Sequence, residues 1–412
     1  MRFAENNRIS HRQLFRQIIL VFPSPFLLGL FKNGEMLGAN AMAGTILTAV
    51  LLSFYVIWLI RLAPAYGELS RMTENITVRF IGLFFLLYVV LSAAFLADLL
   101  AKVIPQSLIS GISGKWLSLF AVAACSLGTH RGMQRRGRIA EISGGIFLAG
   151  ILLLMSLSAG QGKAEYFLET VEGTGGRLSG KWMIRDVYAL LCAFSGVGLL
   201  PFGLEKAEKQ GSARKPVILA FLTVCGIVLG MQVLLPAVFG KNRLLAEMYP
   251  VMPLLDGADF PGNVLARFDV IWMGILVFGL LFSIGSLLHY GDQILKNARL
   301  GTGRYWLAGA SYAVSLTKVK GLGIGQIFES YLEYVFLPGL LLLQIFLMVR
   351  NRGKWKKKGL AAAGMVLSMC LFAGGCGGVE PEKRIYPLAL GVDLDEKKNY
   401  VFTYGMPDMM RA

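Results

Sequence analysis

At 412 residues, 55% hydrophobic and only 16% charged, the chain is too apolar for a soluble globular protein. Its net charge of +16 falls in clusters between apolar stretches, which excludes a nucleic-acid surface and fits the Lys/Arg excess of cytoplasmic membrane loops. No nucleotide loop, zinc signature or nucleophile elbow is present, so an enzyme, a metal site and a bound cofactor all lack support.

A bilayer crossing needs roughly 20 apolar residues. Ten segments of that kind are predicted: about 13–31, 40–60, 79–101, 114–129, 139–157, 186–203, 216–239, 267–290, 304–318 and 331–349. The first is interrupted by Phe22-Pro23-Ser24-Pro25. The sixth is interrupted by Ser195-Gly196-Val197-Gly198-Leu199-Leu200-Pro201. Proline removes a backbone donor and glycine lowers the cost of unwinding. Lipid cannot satisfy the groups so freed, and a matched pair of breaks in two halves points to a transporter-type site for a small solute. Kinks satisfied by neighbouring helices are the plainer alternative. Phe22, Pro23, Ser24, Ser195, Gly196, Val197 and Gly198 are therefore candidate ligand-binding residues.

Tyr88 puts a hydroxyl near the middle of the third span, either toward a ligand or simply as packing. Ala39, Ala43, Gly44 and Ala49 mark a thin face on the second span, and Gly144, Gly145 and Gly150 mark one on the fifth, as close helix packing in membranes requires. In the eighth span Gly279, Ser283 and Ser286 share one helical face. Ser283 and Ser286 either line the cavity or bond back to their own helix carbonyls. Asp98, Asp269 and Glu333 sit near outer span ends, with Glu141 and Glu205 near cytoplasmic ends, so no proton relay crosses the core.

Basic clusters follow alternate spans, as with Arg131, Arg135, Arg136 and Arg138 after the fourth and Lys206, Lys209, Arg214 and Lys215 after the sixth. Both ends of a ten-span body at 1–350 then face the cytoplasm. Segment 158–185 is expected as an extracellular connection between two halves of five spans, whose opposite topology suits an inverted repeat. Beyond it, 351–376 combines Lys354, Lys356, Lys357 and Lys358 with an apolar run and Ala373-Gly374-Gly375-Cys376. That pattern is a lipoprotein-type signal with Cys376 acylated or, uncleaved, an eleventh span. Within 377–412, Ile385 to Asp395 and Tyr400 to Tyr404 predict a β-hairpin.

The start Arg8-Ile9-Ser10-His11-Arg12-Gln13-Leu14-Phe15, with an interrupted first span and ten spans, resembles the B subunit of bacterial spore-germination receptors. That family is grouped with the amino acid–polyamine–organocation transporters. The tail, with Leu390-Gly391-Val392-Asp393-Leu394-Asp395, resembles the start of the lipoprotein C subunit. The resemblance implies an all-α integral membrane protein with a LeuT-like five-plus-five inverted repeat and discontinuous helices 1 and 6. It also implies germination receptor A and C subunits as partners, a small nutrient such as an amino acid as ligand, and the spore inner membrane as location. The first break carries Pro23-Ser24-Pro25 where such transporters usually have glycines, which leaves Ser24 as its polar handle. The lysine that proton-coupled members often carry in span five is missing here, so the resemblance implies a sensor more than a pump. An active permease and a non-binding scaffold are the rival expectations.

Overall fold

The computed structural model describes residues 8–72, 75–107, 111–128, 132–173, 179–204, 207, 213–257, 269–318, 321–350, 389–394 and 400–405. The chain divides into two units, Met1–Gly374 and Gly375–Ala412.

The first helix, α1 (His11–Val21), starts at a reciprocal capping box. Gln13 N donates to Ser10 Oγ at 3.3 Å, and Ser10 N donates to Gln13 Oε1 at 3.1 Å. Gln13 Nε2 also donates to Glu141 Oε2 at 3.0 Å, and Ile9 forms a parallel bridge with Ala207. A bend at Phe22 leads into α2 (Pro23–Gly29). Phe22 keeps right-handed helical angles, its amide donates to Ile18 O at 3.3 Å, and its carbonyl accepts from Phe26 N at 3.2 Å. Pro23 and Pro25 fall in the first turn of the new helix, where amides have no intrahelical acceptor, so the prolines redirect the chain without uncoiling it.

After a 3-10 turn at Lys32–Gly34 come α3 (Ala39–Met72), α4 (Asn75–Ser107), α5 (Gly114–Gly128), α6 (Gly132–Ala159), α7 (Ala164–Gly173) and α8 (Gly180–Ala193). Here the helix tightens into a 3-10 stretch, Phe194–Leu199, before α9 (Leu200–Leu204). Then follow α10 (Arg214–Ala246), α11 (Val251–Asp256), α12 (Asp269–Asn297), α13 (Arg304–Ser315) and α14 (Ile324–Tyr331). A π turn at Leu332–Phe336 joins α14 to α15 (Leu337–Arg350).

Among the described residues, seven helical stretches are long and apolar enough to cross a membrane: Ala39–Pro64, Thr77–Ser107, Gly132–Ala159, Gly180–Leu204, Arg214–Ala246, Val270–Asn297 and Ile324–Val349. The other three predicted spans correspond to the shorter pair α1 and α2, to α5 and to α13. One local difference from the sequence expectation is α7, which lies inside the segment read as a loop and packs on α10. Lys163 N donates to Ala237 O at 2.8 Å, and Tyr166 lies against Gly240, whose φ of +68° turns the end of α10 aside.

Small residues set the spacing of the bundle, as close approach without a hydrophobic driving force requires. A β-carbon on Gly144 would lie 2.9 Å from Arg16 Cβ, so α1 rides directly on α6. One on Gly82 would lie 2.6 Å from Ala298 Cβ, which presses α12 against α4. Gly145, by contrast, has only the far end of Arg16 within 4 Å and is no part of that tight contact. A polar clasp joins α3 to α10: Thr45 Oγ1 pairs with the Gln232 amide at 3.0–3.1 Å, and Gln232 Nε2 reaches Met36 O at 3.1 Å.

The second unit contains β1 (Ala389–Leu394) and β2 (Tyr400–Gly405), an antiparallel hairpin with Ala389 opposite Gly405 and Leu394 opposite Tyr400. The signal-like stretch and Cys376 lie outside the described residues.

Candidate functional site

The bend after α1 and the 3-10 stretch after α8 meet in the middle of the helical unit. Their contact is aromatic. Phe22 packs against Phe194 with ring centroids 5.7 Å apart, against Phe221 at 5.3 Å and against Phe26 at 5.6 Å, while Phe26 meets Phe194 edge-on at 4.7 Å. The rings pack the bend against the 3-10 stretch.

Four of the candidate residues converge on this contact. A β-carbon on Gly196 would lie 3.0 Å from the Tyr88 hydroxyl and 3.6 Å from the Phe22 ring. The tyrosine is held by stacking on Phe336, centroids 3.9 Å apart, where the π turn of the last span presents that ring. Its hydroxyl is directed toward Ser92 and Ser195. Neither serine makes a hydrogen bond of good geometry, and both are buried, so three hydroxyls gather beside the Phe22–Gly196 contact. Pro23 and Val197 are buried in the same region and offer no polar group.

A second group forms on the opposite side of the bend. Ser24 is fully buried without a hydrogen-bond partner, and a β-carbon on Gly279 would collide with its Oγ. Ser283 Oγ donates within 2.8 Å of Val21 O and 2.7 Å of Gly279 O, so it ties α12 to the last carbonyl of α1. Ser286 stands one turn further along and is engaged differently. Its Oγ lies 2.7 Å from Phe282 O and accepts from Arg136 Nη2. Both serines thus bond to their own helix carbonyls, and Ser286 is additionally occupied by a cation. Gly198 belongs to neither group; a β-carbon there would meet Leu340 of α15 at 2.8 Å.

Arg136 was read from the sequence only as one of a basic cluster. It is in fact buried, with Nη2 also donating to Phe282 O at 3.0 Å and the guanidinium 4.7 Å over the Phe282 ring. The signal lay in register: Arg136 precedes Ala140 and Gly144 at i, i+4 and i+8 on the buried face of α6, while Arg135 and Arg138 do not.

A small chamber of about 30 Å³ borders the 3-10 stretch. Leu51, Leu52 and Tyr55 of α3, Leu191, Phe194 and Ser195, and Leu337, Leu340 and Leu341 of α15 form its walls. The Tyr55 hydroxyl is already engaged, accepting from Gln344 Nε2 at 2.7 Å.

Solved structures of membrane transporters share this fold over nearly the whole chain. A Na+-coupled sialic acid symporter, in its substrate-bound outward-open state, superposes with a TM-score of 0.58 over 90% of each chain at 14% identity. The Eremococcus coleocola manganese transporter, in complex with an aromatic bis-isothiourea substituted compound, gives 0.56 over 90% of this chain and 85% of its own at 12% identity. MhsT in complex with L-phenylalanine gives 0.50 over 89% and 98% at 13% identity. At these identities the likeness establishes the fold alone. No curated protein sequence matches the chain. The family model for spore germination proteins of the permease type matches residues 34–297, most of the helical unit, and the chain belongs to that family.

Proposed function

We propose that the protein is the membrane subunit of a spore germinant receptor, binding a small nutrient of the amino-acid class where the two interrupted spans meet. The observation that supports this reading is the convergence of Phe22, Tyr88, Ser195 and Gly196, in which the buried Ser195 hydroxyl, without a hydrogen bond of good geometry, stands beside a glycine of the second interruption. Buried polar groups are normally paired, and those left open cluster where a ligand completes them.

The architecture behind this reading is a five-plus-five inverted repeat of ten spans, in which the pair α1 and α2, helix α5 and helix α13 supply the three shorter crossings. The pair α1 and α2 and the chain α8 to α9 then occupy equivalent first positions. Alternating basic loops support a cytoplasmic N-terminus in the spore inner membrane. Residues 351–376, with Cys376 acylated, and the hairpin beyond them would present a C-subunit-like segment outside. Receptor A and C subunits are the partners that would read the nutrient-induced shift.

A secondary permease is the second reading, favoured by the symporter among the fold neighbours. Against ion coupling stands Arg136, whose guanidinium already takes the Phe282 carbonyl and the Ser286 hydroxyl, acceptors a mobile cation on α12 would use. Binding of radiolabelled amino acids to the purified full chain tests the reading. Saturable binding abolished by Gly196→Leu, with the variant still folded, is expected; binding indifferent to that change would place the ligand elsewhere.

A further inference from the structure

The chamber between α3, the Phe194–Leu199 stretch and α15 adjoins the nutrient site through Phe194 and Ser195. Ser195 is 4% exposed, its Oγ makes no hydrogen bond of good geometry, and it lines the chamber next to Gly196, where a β-carbon would lie 3.0 Å from the Tyr88 hydroxyl. A ligand held at Gly196 with its polar end toward Tyr88 and Ser195 therefore has this apolar chamber within reach. We propose that this chamber is the side-chain subsite of the receptor, taking a short aliphatic group, and that Leu340 sets the length it admits. The inference rests on the nutrient-site reading above.

Three features of the walls argue for this chemistry. First, the recess is small. A volume of about 30 Å³ matches a methyl or ethyl group, whereas an engineered cavity that binds benzene measures about 150 Å³. Second, no charged residue lines it, and the Tyr55 hydroxyl is already bonded to Gln344. A polar or charged side chain would be desolvated there without compensation. Third, the depth has an identifiable stop. Leu340 is 1% exposed and is pressed onto the glycine that follows Val197: a β-carbon on Gly198 would lie 2.8 Å and 3.0 Å from its two methyl carbons. Leu340 also lines the chamber, so its size and position bound the space there. Placing the stop on α15 and the far wall on α3 makes specificity a property of the second and tenth spans, although neither carries an interruption of the kind seen at Gly196.

The test is a competition series on the purified full chain, using labelled L-alanine as tracer and L-2-aminobutyrate, L-norvaline, L-leucine and L-phenylalanine as competitors. Wild type should favour alanine and 2-aminobutyrate and lose about tenfold in affinity for each further methylene that does not fit. Leu340→Ala should move the optimum one or two carbons longer, with about a tenfold gain for norvaline. Leu340→Val is the milder form should the larger cavity prevent folding. Gly198→Ala should push Leu340 inward and move the optimum shorter. An unchanged ranking in these variants, with tracer binding retained and still abolished by Gly196→Leu, would overturn the subsite and leave the nutrient site standing. A folded wild type that binds none of the series would overturn both.

Discussion

Single hydroxyl groups carry much of the case at the centre of the molecule. Ser24 and Ser195 are buried, and neither finds a hydrogen-bond partner in the protein. Such a group costs about 1–3 kcal/mol relative to a paired one, and an apolar replacement of similar size removes that cost. A serine maintained for folding would behave in the opposite way. Ser195→Ala is therefore expected to leave the melting temperature of the detergent-solubilised protein unchanged or higher while weakening nutrient binding about tenfold, since one net hydrogen bond is worth about 1 kcal/mol and one to an ionised ligand group more. Thermal unfolding and equilibrium binding on the same preparation check it; a fall in stability with binding intact would make Ser195 a structural residue. The proline and glycine interruptions nominated Ser24 and Ser195, and a shared helical face nominated Ser283 and Ser286, but only the fold shows that the second pair is bonded to its own helix while the first is not.

Helices show how far the sequence can be read and where it stops. The long apolar runs were legible, as were the positions where the structure has a bend at Phe22 and a 3-10 stretch at Phe194–Leu199, because length, proline and glycine act locally on the backbone. The hairpin of β1 and β2 was legible because alternation does too. What escaped was set by partners distant in sequence. Helix α7 forms in a Gly- and charge-rich segment because it docks on α10, and the chamber is built from Leu51 and Leu340, which in sequence are plain span residues. The clasp between α3 and α10 is another long-range feature. Gln232 is fully buried, bonds Thr45 and Met36 through both ends of its amide, and thus fixes the top of α3 against α10 beside the 3-10 turn. Gln232→Leu leaves Thr45 Oγ1 only its own helix carbonyl at 2.9 Å and frees the Met36 carbonyl. A loss of about 1–3 kcal/mol follows, read as a lowered melting temperature. The double variant Thr45→Val with Gln232→Leu should recover part of it, because both partners of the pair are then apolar. Equal destabilisation by the single and double variants would show that the clasp contributes packing alone.

At the scale of the whole molecule the central question is how a nutrient of the proposed class would enter. The rings of Phe22, Phe26, Phe194 and Phe221 close the contact between the bend after α1 and the 3-10 stretch, and the chamber beside them is far smaller than an amino acid. Binding therefore requires a second arrangement in which α1 and α2 move from α8 and the 3-10 stretch. A ligand shifts such an equilibrium only by its preference for the open arrangement, and its apparent affinity is reduced by the fraction of molecules already there. The kinetic consequence is specific. With opening ahead of binding, the observed association rate should level off at high nutrient concentration, at the rate of opening, in place of rising in proportion to it. Phe22→Leu removes one ring from the closed contact and makes the closed arrangement less favourable, so the plateau should rise several-fold and the apparent affinity should tighten. Stopped-flow measurement on the reconstituted chain reads both. A rate that climbs linearly through the accessible range in wild type, with no response to Phe22→Leu, would mean that the aromatic contact is not the gate and that the nutrient enters a region already open.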